Sequence, residues 1–171
     1  MDWIIVSDIH GQYDRLDRVL AQQLKRPDGL IFLGDGLRDM QKIREEWQTL
    51  PVLSVCGNCD FFGWLDDGDN PKERVEVLGG IRLFMTHGDR YGVKSGYGAA
   101  IKQALRFDAD ILLCGHTHIF HDEWILEGPS IKKPLHVFNP GSLGYPDDGV
   151  PSFGCLHIQN GQYLLSRGVL E

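Results

Sequence analysis

The chain has 171 residues, of which 42% are hydrophobic and 24% charged, a composition typical of a globular protein that builds a sizeable core in one domain. Its formal net charge of −7 argues against general affinity for nucleic acid or acidic lipid. No apolar run approaches the roughly 20 residues that a membrane-spanning helix needs. Because Met1 to Ile4 lack the basic start of a secretory signal, we expect a cytoplasmic protein with a single domain over residues 1–171.

The four cysteines do not have the spacing of a disulfide framework. Cys56 and Cys59 form one C-x-x-C pair, but a zinc ribbon needs a second pair and the sequence has none. We therefore expect reduced thiols, as is usual in a cytosolic protein.

The first third of the chain alternates short apolar runs with amphipathic segments. The runs predict buried strands, and apolar residues three or four positions apart predict helices, with Leu24 on the apolar face of the first helix. In chain order we expect a strand at 3–6, a helix at 12–25, a strand at 30–33, a helix at 39–48 and a strand at 52–55. This alternation favours right-handed β-α-β units in a largely parallel sheet, whose chemistry collects beyond the carboxyl ends of the strands.

The rest of the chain predicts mainly antiparallel strands. Residues 61–73 predict a loop, and Gly79-Gly80 and Asn160-Gly161 each mark a hairpin turn. The remaining predicted elements are strands at 74–78, 81–85, 111–113, 124–126, 135–138, 153–158 and 163–166, a helix at 99–106 and a turn at 139–142. We expect the last third to form a second sheet packed on the first. The predicted fold class is α/β, with a two-sheet β-sandwich core flanked by helices.

Side chains that can bind a metal ion follow five of the predicted strands. They are Asp8, His10, Asp35, Asn58, His87, His116 and His118. His116 and His118 lie two positions apart in an extended segment and project to one side, roughly 6.5 Å from each other. Since paired catalytic ions lie about 3.5–4 Å apart, each histidine can bind one of two neighbouring ions. Seven ligands are too many for one ion, so we expect two divalent ions with one bridging carboxylate.

The chemistry of such a centre favours phosphate esters. Oxygen and nitrogen ligands together suit Mn²⁺, Fe²⁺, Zn²⁺, Ni²⁺ or Co²⁺ better than Ca²⁺ or Mg²⁺. Two divalent ions bring four positive charges, and the two carboxylates offset two of them. The remaining charge attracts an anion, stabilises charge on phosphoryl oxygens, and lowers the pKa of bound water from about 15.7 to about 7.

Five ordered motifs carry these residues: Asp8-x-His10, Gly34-Asp35, Gly57-Asn58-x-Asp60, His87-Gly88 and Gly115-His116-x-His118. The set resembles the motifs of the calcineurin-like metallophosphoesterase superfamily over about residues 4–145. Asn58-Cys59-Asp60 and the trailing Asn139-Pro140-Gly141-Ser142 are most similar to its small prokaryotic phosphodiesterase branch. The resemblance implies an α/β/β/α fold, two metal ions with Mn²⁺ named first, and a homodimer. It also implies hydrolysis of a small-molecule phosphodiester by a metal-bridging hydroxide at a binuclear centre.

The resemblance also assigns a role to each residue of the set. The first ion would be bound by Asp8, His10 and His118, the second by Asn58, His87 and His116, and both by the bridging Asp35. The catalytic residues would be Asn58, Asp35 and His87. The substrate-binding residues would be Cys59, Asp60 and Asp89.

Two positions depart from the family pattern. Cys59 stands where many members have a histidine that protonates the leaving oxygen or binds phosphate, although the small branch carries the same cysteine. A thiol is a weak hydrogen-bond donor with an unperturbed pKa near 8.5, so we expect preference for esters with good leaving groups, or a general acid from elsewhere. Asp89 stands where that branch often has a second histidine, which affects the predicted contacts to substrate and not those to metal.

Two alternatives stay open. Ser7 to Tyr13 resembles the opening of the protein phosphatases and the diadenosine tetraphosphatases, but Gly34 to Asp39 lacks their Gly-Asp-x-x-Asp-Arg-Gly, and Cys59-Asp60 replaces their His-Glu. Other proteins of this fold are scaffolds that have lost metal ligands and bind partners instead. Here every ligand position is filled, which favours an enzyme.

Overall fold

The computed structural model describes residues 1–60, 70–126, 128 and 132–170. Within these residues, ten strands form two five-stranded sheets, and three helices accompany them. The strands are β1 (Asp2–Val6), β2 (Gly29–Phe32), β3 (Val52–Ser54), β4 (Glu73–Leu78), β5 (Ile81–Thr86), β6 (Ile111–Leu113), β7 (Phe120–Ile125), β8 (Leu135–Pro140), β9 (Ser152–Gln159) and β10 (Gln162–Val169). The helices are α1 (Tyr13–Ala21), α2 (Leu37–Glu46) and α3 (Gly98–Arg106).

The first sheet has the strand order β10-β9-β1-β2-β3. Its β1, β2 and β3 are parallel, with Ile4 beside Leu30 and Leu30 beside Val52. Helices α1 and α2 connect these strands, which confirms the predicted β-α-β units. The three carboxyl ends consequently lie along one edge of the sheet.

The second sheet has the order β4-β5-β6-β8-β7, with β5, β6 and β8 parallel. Phe84, Leu112 and Val137 are neighbours across these three strands. Helix α3 makes the crossover from β5 to β6. The predicted hairpin of β4 and β5 is confirmed, with both turn glycines at positive φ.

Buried side chains divide into three clusters that define four layers. Ile5 and Ile31 of the first sheet meet Leu83 and Ile111 of the second between the sheets. Their strand neighbours point the other way, as Ile4 does toward the cluster that contains helix residues Leu16 and Met40. A third cluster joins the second sheet to α3. Because both faces of the central strands are covered, these strands are continuous apolar runs, and the predicted two-sheet fold flanked by helices is confirmed.

The predicted partition of strands between the sheets is wrong. The last third of the chain does not form the second sheet by itself, because β9 pairs antiparallel with β1 and carries β10 into the first sheet. Strands β7 and β8 complete the second sheet, in which β8 runs parallel to β6. Alternation of apolar residues specifies which face of a strand is buried, but it does not specify the neighbouring strand.

Several predicted boundaries also move. Helix α1 ends at Ala21, and Leu24, predicted on its buried face, is fully exposed. The helix ends there because the chain must return to the start of β2, which lies beside the start of β1. At this point the Asp28 N–H donates to the Asp2 carbonyl at 2.7 Å. Residues 139 and 140, predicted in a turn, instead end β8, and the turn begins at Gly141 with φ +80°.

Part of the predicted loop at 61–73 lies outside the described residues, namely 61–69. No helix of the described part combines the length and the apolar character that crossing a membrane requires.

Candidate metal centre

The seven predicted ligand residues come together where the two sheets meet. Each follows the carboxyl end of a strand, and the strands are β1, β2, β3, β5 and β6. Main-chain hydrogen bonds join the loops that carry them, such as Asp8 N–H to Gly34 carbonyl at 2.9 Å and Gly115 N–H to His87 carbonyl at 3.0 Å. The parallel strands therefore place these side chains in a single site, as the sequence predicts.

Left-handed backbone is concentrated at this site. Among the described residues, seven non-glycine residues have positive φ, and five of them belong to the predicted ligand set. These five are Asp8, His10, Asp35, His116 and His118, with φ between 47° and 68°. Such conformations cost about 1 kcal/mol or more each for residues other than glycine, so the surrounding structure holds these side chains in an unfavourable but fixed orientation.

Each of the two carboxylates has one oxygen anchored and one directed into the site. In Asp8, Oδ2 accepts the Ser7 hydroxyl at 2.6 Å and the His116 N–H at 3.0 Å, whereas the buried Oδ1 has no hydrogen-bond partner. In Asp35, Oδ1 accepts the Cys59 N–H at 2.7 Å, and Oδ2 lies 3.4 Å from His87 Nε2. The free oxygens are therefore oriented by their anchored partners.

Both carboxylates are ionised at neutral pH. Burial opposes ionisation of Asp8, but the neighbouring imidazoles of His10 and His118 outweigh it and hold the pKa of this carboxyl well below its usual range. Burial also opposes ionisation of Asp35, and His87 and the Cys59 N–H lower its pKa nonetheless. The site thus presents two negative charges that water does not screen.

The orientation of two imidazoles is set by main-chain carbonyls. His118 Nδ1 lies 2.7 Å from the Tyr145 carbonyl, and His87 Nδ1 lies 2.7 Å from the Leu33 carbonyl. A carbonyl only accepts, so in both neutral rings Nδ1 carries the proton and Nε2 exposes a lone pair. His118 Nε2 then faces the unpartnered Asp8 Oδ1 at 3.1 Å. Two acceptors this close need a cation between them. Without metal that cation is a proton on Nε2, since hydrogen bonding to Asp8 raises the pKa of His118, and the donor set fits a metal ion in its place.

The ligand atoms fall into two sets around Asp35. In one set, His10 Nε2 lies 3.3 Å from His118 Nε2 and 3.7 Å from Asp8 Oδ1. In the other set, His87 Nε2 lies 3.2 Å from Asn58 Oδ1 and 3.2 Å from His116 Nδ1. Asp35 Oδ2 is 3.8 Å from His10 Nε2 and 3.4 Å from His87 Nε2, so this oxygen is within reach of both sets.

Groups of three ligand atoms that all lie within 4.8 Å of one another provide candidate metal sites. The groups are Asp8 with His10 and His118, Asp8 with Asp35 and His87, and His10 with Asp35 and Cys59. These groups are candidate ligand clusters for metal ions.

The predicted substrate-binding residue Cys59 lies at the edge of the site. Its exposed side chain lines a cavity of about 340 Å³, together with His10, Asp35 and the first turn of α2. Partial desolvation, and then hydrogen bonding to Asp35, raise the pKa of the thiol to about 11. The half-buried Asp89 lies in the short 3-10 helix Asp89–Tyr91 that follows His87 and Gly88, and its charge acts on His116.

The predicted substrate-binding residue Asp60 borders the cavity, but its carboxylate is bonded to main-chain N–H groups. Its Oδ1 accepts the N–H groups of Gly36 at 2.9 Å and Leu37 at 3.0 Å. Its Oδ2 accepts those of Asp35 and Gly57, each at 2.8 Å. A carboxylate has about four lone-pair sites, so these four main-chain donors account for its usual acceptor capacity.

Residues that support the site were missing from the sequence-based prediction. Asn139 donates from Nδ2 to the Gly115 carbonyl and to Thr117 Oγ1, both at 2.9 Å, and so holds the loop between the two histidines. Ser142 donates from Oγ to the Asp8 carbonyl at 2.8 Å. The stretch Asn139-Pro140-Gly141-Ser142 was visible in the sequence, but its interpretation as a turn concealed these contacts.

Comparison with known proteins adds evidence that is independent of this geometry. A family model described as the calcineurin-like phosphoesterase superfamily domain matches residues 1–161. A probable metallophosphoesterase of Mycoplasma pneumoniae is 31% identical over 166 residues, which covers 93% of this chain and 91% of the relative.

Among solved structures, a protein of Streptococcus pneumoniae described as a predicted phosphoesterase is similar, with a TM-score of 0.74 at 23% identity, over 98% of this chain and 88% of the other. An archaeal protein described as a novel phosphodiesterase has a TM-score of 0.67 at 20% identity, over 99% of this chain and 100% of the other. Vps29 of Entamoeba histolytica, solved with Zn²⁺, has a TM-score of 0.66 at 22% identity, over 99% of each chain. The structural likenesses establish the shared fold, and the family model establishes that this chain belongs to the calcineurin-like phosphoesterase superfamily.

Proposed function

We propose that this protein is a phosphodiesterase that uses two divalent metal ions. The observation that carries the proposal is the division of the ligand atoms into two sets that share Asp35 Oδ2. In each set, lone pairs of neutral imidazole and of a carboxylate or amide oxygen converge at 3.1 to 3.7 Å. These separations are those of ligands around a common ion, because metal–nitrogen and metal–oxygen bonds are about 2.0–2.2 Å long.

The assignment of ligands follows the two sets. The first ion would be held by Asp8, His10 and His118, the second by Asn58, His87 and His116, and Asp35 would contribute to both. Mixed oxygen and nitrogen donors suit Mn²⁺ first, and also Ni²⁺, Fe²⁺, Zn²⁺ or Co²⁺. When bound, two such ions lower the pKa of a water molecule and offset charge on phosphoryl oxygens.

The residues of the chain have distinct tasks in this reaction. The proposed catalytic residues are Asp35, Asn58 and His87, which would hold the ions that act on the phosphate ester. The carbonyls of Leu33 and Tyr145 keep two imidazoles in the tautomer that binds metal. Cys59 is exposed on the cavity wall, where it would face the leaving group of a bound ester. A thiol donates weakly, so the proposed substrates are diesters with good leaving groups.

The cavity beside Cys59 and the acidic surface limit the substrate. A volume of about 340 Å³ is in the range of small-molecule sites. The net charge of −7 disfavours general nucleic-acid or membrane binding, so we propose a small phosphodiester as the substrate. We further propose a single domain over residues 1–171, a cytoplasmic location and a homodimer.

The proposal is tested by metal analysis of the purified protein together with turnover of bis(p-nitrophenyl) phosphate. We expect about two ions per chain, hydrolysis stimulated by Mn²⁺, and loss of hydrolysis after chelation. The archaeal phosphodiesterase of the same fold supports the choice of a diester as probe. The His121→Ala variant is the control, since His121 contacts Glu123 and Tyr97 outside the ligand set.

Two alternatives have their own outcomes in the same assay. Faster turnover of p-nitrophenyl phosphate or of a dinucleoside polyphosphate than of the diester favours a phosphomonoesterase, a protein phosphatase or a dinucleoside polyphosphate hydrolase. Bound metal without hydrolysis of any ester, under any added ion, favours a scaffold. The shared fold with Vps29 is the observation that keeps the scaffold under test.

A further inference from the structure

The loops that carry Asp35 and Asn58 are joined by reciprocal hydrogen bonds. The Asp60 carboxylate accepts the N–H of Asp35 at 2.8 Å, and the Asp35 carboxylate accepts the N–H of Cys59 at 2.7 Å. Asp60 also accepts the N–H of Gly57 at 2.8 Å, directly before Asn58. One carboxylate therefore sets both the backbone of the shared ligand Asp35 and the position of the loop that presents Asn58.

The same loops are in close backbone contact. A Cβ atom added to Gly57 would lie 2.0 Å from Asp35 Oδ1 and 2.6 Å from Asp35 N. Only glycine permits this approach, and the Asp60 bonds keep the two loops at this distance. Asp35 holds φ +61° at the point of contact, which places its carboxylate toward the centre.

A second carboxylate makes a similar connection to the loop with His10. Asp39, in the first turn of α2, is only 4% exposed, and its Oδ2 accepts the N–H of Gly11 at 2.9 Å. Gly11 directly follows His10, which has φ +47°. Asp39 thus holds the β1–α1 loop against the start of α2, as Asp60 holds the β3 loop against it.

We propose that Asp60 and Asp39 are positioning residues that fix the ligand loops around the amino-terminal end of α2, and thereby set the affinity and spacing of the two metal ions. This inference rests on the proposed function. It assigns Asp60 to the metal centre through the main chain, in place of the predicted contact with substrate. Asp39 acts on the first ion through His10, whereas Asp60 acts on both ions because Asp35 is shared.

The Asp60→Asn variant tests the inference most directly. An amide of the same shape has one acceptor oxygen, and its NH₂ group would face two N–H donors that now bind the carboxylate. We expect Mn²⁺ affinity to fall about 10- to 100-fold in both binding steps, as outer-shell changes typically cause. The electron paramagnetic resonance signal of an exchange-coupled Mn²⁺ pair should weaken, while KM at saturating Mn²⁺ stays within about twofold of wild type.

Two variants at Asp39 provide an independent test and a rescue. Asp39→Ala removes the acceptor for the Gly11 N–H, so we expect about tenfold weaker binding in one Mn²⁺ step only. Asp39→Asn retains an acceptor oxygen and should restore most of that affinity. If Asp60→Asn fails to fold, as judged by circular dichroism, the Asp39 pair still decides the inference.

Asp14→Asn is the matched control, since Asp14 is an exposed acid in the first turn of α1, whereas Asp39 is a buried acid in the first turn of α2. An equal loss of affinity in this control would overturn the inference. Unchanged Mn²⁺ affinity with raised KM in Asp60→Asn would also overturn it, and would return Asp60 to the substrate. A wild-type protein that binds no Mn²⁺, by contrast, contradicts the proposed function itself.

Discussion

His87 and His136 are both buried imidazoles with an aspartate nearby, but the atoms around them are arranged differently. His136 Nε2 lies 2.8 Å from Asp122 Oδ1, its Nδ1 lies 3.3 Å from the Tyr163 hydroxyl, and its ring stacks on Trp124. One nitrogen donates and the other accepts, so the ring is fully satisfied.

At His87, by contrast, the Leu33 carbonyl lies within hydrogen-bond distance of Nδ1, and Nε2 faces three further groups with lone pairs within 3.4 Å.

This contrast distinguishes a structural histidine from a candidate metal-binding one. Proximity to a carboxylate is common to both clusters, whereas an excess of acceptors over donors occurs only in the ligand set. The unpartnered, fully buried Asp8 Oδ1 is the clearest instance. A pair of hydrogen-bonded side chains stabilises the fold without help, but converging lone pairs are stable only with a proton or a metal ion between them.

The largest effect is expected for Asp35→Asn, which removes the negative charge shared by both sets. Loss of several kcal/mol of transition-state stabilisation corresponds to a drop of about a thousandfold in kcat/KM for bis(p-nitrophenyl) phosphate. His116→Ala should be comparably inactive, because it also removes a ligand. Near-normal turnover of either variant with both ions bound would refute the ligand assignment.

Removal of metal should destabilise the ligand set and leave the His136 cluster intact. An ion at a free concentration 100 times its Kd stabilises the folded state by about 2.7 kcal/mol per site, so removal of both proposed ions should lower Tm by about 10 to 20 °C. Differential scanning calorimetry with and without chelator measures the shift. A His116→Ala protein should show a smaller shift. An equal shift in that variant would contradict His116 as a ligand, and no shift in the wild-type protein would contradict metal at the centre.

His136→Phe should give the opposite pattern. The substitution removes two hydrogen bonds and retains a stacking ring, so we expect a loss of about 1–2 kcal/mol in the free energy of unfolding. Metal content and kcat/KM should be unchanged, because Asp122 and Tyr163 belong to the far edges of the sheets. Urea unfolding measures the loss of stability, and metal analysis with the diester assay measures metal content and kcat/KM. Loss of metal binding in this variant would contradict the view that the His136 cluster is structural only.

Cys59→His should have the smallest effect. It places a better proton donor on the cavity wall while the Cys59 main-chain N–H, which anchors Asp35, is retained. We expect phosphomonoesterase activity to be preserved or raised, by less than the roughly hundredfold that a well-placed general acid provides. Kinetics with p-nitrophenyl phosphate measure the change, and complete inactivity with both ions bound would contradict the position assigned to Cys59.

The sequence predicts the position of the site because side-chain chemistry and strand ends are both local properties. His116 and His118 follow a three-residue apolar run, and the carboxyl ends of parallel strands converge regardless of how the outer strands pair. Pairing is not local: β9 joins β1 from more than 140 residues away, and the apolar pattern of β9 suits either sheet. The same limit explains why the fold class was predicted correctly and the partition of strands was not.

Supporting contacts escape prediction for a related reason. Asp60 and Asn139 act through main-chain atoms of distant loops, and main-chain atoms have no signature in the sequence. Asp60 lies next to the ligands in a recognisable motif, and this position led to the prediction that it binds substrate. In the structure its carboxylate accepts four main-chain N–H groups that come from two different loops. The position of a residue in a motif thus indicated its neighbourhood but not its bonding partner.

The left-handed backbone at the ligand positions has a consequence for how this chain tolerates mutation. Glycine at position 116 would relax the φ of +68° at little steric cost, and would remove a ligand. The same holds for His118 at +58° and Asp8 at +53°. Glycine replacements that relieve backbone strain at these three positions are therefore also the ones that remove the ligands of the centre. If stability alone were selected, random drift would erase this site first, while the surrounding sandwich would persist.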